Sequence, residues 1–131
     1  MLITKCILAP VEEEDGLRIS VMSRHTFQDG KTPDNRITKE SFYLHYPQFA
    51  PTPKLIGAYL RKEISWEVYE ERFREQLSNP TTQRELWEIA YLARHDNFTF
   101  LCIEDSAEHC HRRILAEVCA ELVPGLIIEH R

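Results

Sequence analysis

Apolar residues cluster from Leu2 to Leu8 and again from Leu17 to about Met22, with the acidic stretch Glu12-Glu13-Glu14-Asp15-Gly16 between them. Both runs predict β-strands. The pattern then dissolves. Over residues 23–52, Asp29-Gly30 and Pro33-Asp34-Asn35 signal turns, and Pro47 and Pro51 forbid long regular elements, so a long loop or flap is expected. From Pro53 the spacing turns helical, with Leu55, Ile56, Tyr59 and Leu60 on one face. Ser65 has the place of an N-cap for a helix over 66–77, in which Trp66, Tyr69, Phe73 and Leu77 form the apolar stripe. Asn79-Pro80-Thr81 breaks that helix, and another is expected over about 83–94. Phe98 to Ile103 reads as a strand buried on both faces. A last helix is expected over about 107–122, ended by Pro124-Gly125, with a final strand from Leu126 to Glu129. Strands alternate with helices toward the C-terminus. That predicts one α/β domain over residues 1–131, with a small, mostly parallel sheet flanked by helices in three layers.

In such sheets ligands bind beyond the carboxyl ends of the strands, which draws attention to Cys102-Ile103-Glu104-Asp105-Ser106-Ala107-Glu108-His109-Cys110-His111-Arg112-Arg113. Strand alternation sends Cys102 and Glu104 to the same side. On the following helix, His111 falls near the centre of the apolar face and Arg112 on its margin, while Arg113 turns to solvent. A helix N-terminus carries unpaired N–H groups and partial positive charge, so anions are attracted there. Glu104 is therefore a candidate general base or nucleophile and His111 a candidate proton relay or orienting group. Arg112, Cys110, Arg24 and His25 are candidate anion-binding groups, the last two if the second strand lies parallel beside the 98–103 strand. Tyr43, His45 and Tyr46 are candidates to cover the pocket. Each has a structural alternative: Glu104 pairing with Arg112, His111 as a core histidine, and the cysteines as packing.

The four cysteines show no secreted-framework spacing, and the N-terminus lacks signal-peptide architecture. No apolar run approaches membrane length. A cytoplasmic chain with reduced thiols is the expectation, with no membrane attachment. The net charge of −5 argues against binding duplex nucleic acid over a broad face, though a local basic pocket is compatible with it. A metal is not expected: Cys102, His109, Cys110 and His111 are suitable types, but adjacent helical residues point about 100° apart and do not converge. No other cofactor is implied.

Three runs resemble the domain of unknown function 488 family. They are Leu101-Cys102-Ile103-Glu104 followed by Glu108-His109-Cys110-His111-Arg112-Arg113, the segment Ser65-Trp66-Glu67-Val68-Tyr69-Glu70-Glu71-Arg72-Phe73, and a last strand ending in His130. Val21-Met22-Ser23-Arg24 sits where members carry a strand ending in a hydrophobic-Asp-hydrophobic-Arg motif, here without the acidic residue. The resemblance implies a compact α/β fold and no established reaction. The leading expectation is a hydrolase or transferase acting on a small, phosphorylated, nucleotide-sized ligand. The alternatives are a non-catalytic anion or nucleotide sensor, and a thiol redox protein using Cys102 and Cys110. The state of Glu104 separates the first two: catalysis needs a free carboxylate, whereas sensing tolerates one locked to Arg112.

Overall fold

A computed structural model describes residues 1–131. The chain passes through β1 (Leu2–Cys6), β2 (Leu17–Ser20), β3 (Leu44–His45), α1 (Pro53–Leu60), α2 (Trp66–Leu77), α3 (Pro80–Leu92), β4 (Phe98–Cys102), α4 (His111–Leu122) and β5 (Ile128–His130). Short 3-10 turns at Glu13–Asp15 and Pro47–Phe49 complete it. The strands form one sheet in the order β3-β2-β4-β1-β5, and every pairing is parallel. This is the α/β architecture expected, with a sheet parallel throughout rather than mostly so.

Capping explains where the helices start. Thr52 and Ser65 each accept a hydrogen bond from the backbone N–H three residues on, and Pro53 follows Thr52 at the first helical position. Asn79 does the same for Thr81 and Thr82, so Asn79-Pro80 opens α3 directly rather than separating it from a helix beginning near Gln83. Other boundaries also move. The second strand ends at Ser20, not Met22, and the last spans Ile128–His130 rather than Leu126–Glu129. The 23–52 segment is not wholly irregular, since it contributes the edge strand β3 beside β2 and the 3-10 turn that buries Phe49.

One cluster of 25 buried residues runs from Leu2 to Leu126 and joins sheet and helices. α4 lies against β1, β4 and β5, with α2 and α3 packed on it. β4 sits between β2 and β1, and Thr99 to Cys102 are all buried, as both-face coverage requires.

Several charged side chains lie in this interior, among them Asp15, which has no exposure. It receives Lys5 Nζ at 2.9 Å, Arg18 Nη1 at 2.6 Å and the Glu12 N–H at 3.0 Å. Burial pushes its pKa up, but the hydrogen bonds from Lys5, Glu12 and Arg18 outweigh that and hold it below the ordinary 3.8. A carboxylate depressed on folding stabilises above its unfolded pKa, and that contribution is lost as pH falls toward its folded pKa. Unfolding free energy in urea should therefore fall as pH drops below about 4, and Asp15→Asn should flatten that dependence. An unchanged slope in the variant would show that Asp15 does not carry it.

Candidate functional site

Parallel pairing aligns the strand ends, and Ser20 of β2 is in register with Leu101 of β4. The chain leaving β2 at Val21-Met22-Ser23-Arg24 therefore runs beside the chain leaving β4 at Ile103-Glu104. Between them opens a cleft of about 300 Å³, within the range of small-ligand sites. Its lining includes Met22, Arg24, Tyr69, Cys102, Glu104 and His111. A larger groove of about 580 Å³ along α1 and α2 is lined by neither cysteine nor histidine.

The last helix begins at His111, not near Ala107, and this changes the site. Residues 105–110 form turns, and Cys110 is an N-cap with extended backbone (φ −132°, ψ 140°). Its side chain does not follow the helical rotation assumed from sequence. Cys102 Sγ, Cys110 Sγ and a His111 ring nitrogen therefore lie within 4.8 Å of one another, all three residues being buried. The geometric ground on which these residues were expected not to converge is thus corrected. His109 points elsewhere and stacks on Trp66, with centroids 4.9 Å apart.

Hydrogen bonds define the roles available. Glu104 is exposed at the cleft, but its Oε2 turns onto the sulfurs, accepting from the Cys102 thiol at 2.9 Å and the Cys110 thiol at 3.3 Å. His111 Nε2 lies 2.7 Å from the Val21 carbonyl, which only accepts, so Nε2 carries the proton. In the neutral ring Nδ1 then offers its lone pair toward Cys102 Sγ, 3.6 Å away. Phe73 packs edge-on against the imidazole.

The electrostatics follow from these contacts. Partial desolvation raises the Glu104 pKa, but the Cys102 thiol, its own backbone N–H, His111 and Cys110 together hold it below the ordinary value. Burial disfavours the His111 imidazolium, while Cys110, the Val21 carbonyl and Glu104 favour it, and the balance lies above the ordinary value. Burial pushes the Cys110 thiol well up.

Arg112 is not on the margin but fully buried. Its Nη1 donates to the Glu104 carbonyl at 2.6 Å and its Nη2 to the Asp105 carbonyl at 3.4 Å, and Nε has no partner. It clamps the turn after β4 by its backbone and does not lock the Glu104 carboxylate. Arg113 is engaged rather than free: it pairs with Glu70 and Glu117 and lies over Trp66.

Arg24 reaches the cleft as expected, with Nη1 on the Gly30 carbonyl at 3.1 Å. His25 does not line it. Its Nε2 is 2.7 Å from Ser20 Oγ and its ring packs against His45 and Phe42. The aromatic cover expected from Tyr43, His45 and Tyr46 is also absent from the lining. Tyr43 is exposed, His45 donates to the Met22 carbonyl, and Tyr46 packs on Phe49. Tyr69 and Phe27 border the cleft instead. Tyr69 was hidden in the sequence inside the apolar stripe of α2, where a tyrosine and a core residue look alike.

The site therefore defines a parallel α/β protein with a carboxylate, two thiols and an imidazole gathered at the end of a central strand. The chain belongs to the domain of unknown function 488 family: the model described as the active DUF488-N3 subclade matches residues 2–122. Among curated proteins and solved structures no match was found. No helix is long and apolar enough to cross a membrane.

Proposed function

We propose that the chain is a hydrolase or transferase acting on a phosphorylated, nucleotide-sized ligand in the cleft at the strand ends. The observation that carries this reading is the state of Glu104. Its carboxylate faces the cleft, touches two thiols and leaves Arg112 to backbone carbonyls. A carboxylate used only as a structural counter-ion would be spent on that arginine. Glu104 is assigned as general base and His111 as the group that orients and relays protons from below it. Arg24, which also lines the cleft, supplies a planar donor fork suited to phosphate. The match to a subclade described as active favours catalysis over sensing.

Mass spectrometry of compounds retained by the purified protein tests this reading without presupposing a substrate. A phosphorylated, nucleotide-sized compound should be retained. Arg24→Ala should weaken its binding by roughly tenfold or more, the scale of a lost charge-assisted hydrogen bond. Inorganic phosphate soaked into crystals should occupy the same cleft. Phosphate found only outside the cleft, or retention indifferent to Arg24, would remove the assignment.

A further inference from the structure

Two thiols and an imidazole rarely meet in an interior without a purpose for the arrangement, and here their geometry is that of a coordination shell. With zinc–sulfur bonds of about 2.3 Å and zinc–nitrogen bonds of about 2.0–2.1 Å, tetrahedral ligands stand roughly 3.5–3.8 Å apart. Cys102 Sγ and His111 Nδ1 are 3.6 Å apart, and the full set of three lies within 4.8 Å. Side-chain adjustments of about an ångström close the remainder. We propose that Cys102, Cys110 and His111 bind a single zinc ion whose fourth position opens on the cleft beside Glu104.

Further observations support the assignment. His111 donates its Nε2 proton to the Val21 carbonyl, which fixes the ring and leaves Nδ1 as the lone-pair donor. Ligand histidines are characteristically held in this way from the second shell. Arg112 Nη1 lies 3.7 Å from Cys110 Sγ, a guanidinium N–H placed to steady a thiolate. The donor set of two thiolates and one imidazole selects zinc over magnesium or calcium, which take oxygen ligands. Three protein ligands with an open fourth position is also the arrangement of catalytic rather than structural zinc. Cys102, His111 and Glu104 line the cleft and Cys110 lies behind them, so the open position faces ligand. Glu104 is not one of the three convergent donors and remains available to a water at that position.

The role of the ion rests on the proposed function; its binding does not. In that role it activates water for hydrolysis. The water gives one proton to Glu104, its oxygen forms the new bond to the electrophilic phosphorus or carbon, and the leaving group departs with that proton. His111 then exercises its orienting role through the metal.

Metal analysis of protein purified without chelator should give one zinc per chain. Apoprotein titrated with cobalt(II) should show thiolate charge-transfer absorption and the intense visible bands of tetrahedral coordination. Cys110→Ser and His111→Asn should each lower metal affinity by at least tenfold to a hundredfold, the loss seen even for second-shell changes. Glu104→Gln should keep the ion. Cys119→Ser, a buried thiol on the far part of α4 whose Sγ lies against the Leu86 carbonyl, should change nothing. Circular dichroism checks that each variant is folded. A folded wild-type protein that takes up neither zinc nor cobalt overturns the proposal, as does an equal loss in Cys119→Ser. Zinc bound by a protein that retains and turns over no ligand would leave the metal site standing and defeat the enzyme reading. Turnover indifferent to chelation would leave the enzyme reading standing and defeat the ion's part in it.

Discussion

Arg112→Ala should lower the free energy of unfolding by about 3–5 kcal/mol, while Arg113→Ala should cost about 1 kcal/mol or less. The two arginines are neighbours in sequence and opposites in environment. Arg112 has no exposed surface and donates to the carbonyls of Glu104 and Asp105. Truncation leaves two carbonyl acceptors short of a donor, each worth about 1–3 kcal/mol if no water replaces it, and opens a cavity the size of a guanidinium stem. Arg113 keeps a fifth of its side chain exposed and belongs to a solvent-screened network with Glu70 and Glu117. Urea unfolding of the two variants separates these cases. Because Arg112 holds the turn that aims Glu104, its loss should also degrade ligand binding, which Arg112→Lys should partly restore by keeping one donor. Similar losses from both alanine variants would show that the clamp contributes nothing beyond charge.

The same pair shows what could be read from sequence. Helical phase correctly separated Arg112 from Arg113, because three-dimensional direction follows from 100° steps once a helix is under way. It placed Arg112 at a margin rather than inside, since phase carries no information about how deeply a neighbouring turn covers the helix. The start of α4 differs from the expectation for a related reason. Ala107 to Cys110 contains neither proline nor glycine, so nothing local forbids a helix. The true onset is set by tertiary contacts, the Arg112 clamp and the two thiols on Glu104. That four-residue displacement concealed the convergence of Cys102, Cys110 and His111, which depends on Cys110 being extended. β3 was invisible because two residues cannot display a period. By contrast β4 announced itself as a continuous apolar run, and Ser65 marked the start of α2, whereas Asn79-Pro80, which reads as a break, is the cap that opens α3. The neighbouring exits of β2 and β4 could be posed only as a condition from sequence, and parallel pairing meets it. Arg24 thereby reaches the cleft, whereas His25, one residue on, packs against Ser20 and His45.

Glu104→Gln should reduce turnover of the retained compound by roughly 10²-fold or more, the scale of a positioned acid or base, while changing stability by less than about 1 kcal/mol. The small stability term follows from the contacts. Arg112 binds the backbone carbonyl of residue 104, which the substitution leaves in place. The side-chain amide oxygen can still accept from the Cys102 thiol, and the residue stays exposed at the cleft. What is lost is the negative charge and with it the capacity to take a proton. A structural counter-ion behaves in the opposite way: removing its charge orphans a buried cation, costs several kcal/mol and need not alter chemistry. The two measurements therefore point in different directions for the two roles, and urea unfolding yields half of the answer before any substrate is known. A large stability loss with unchanged turnover would make Glu104 a structural partner. In that case the cleft that Arg24 lines would be left to binding alone.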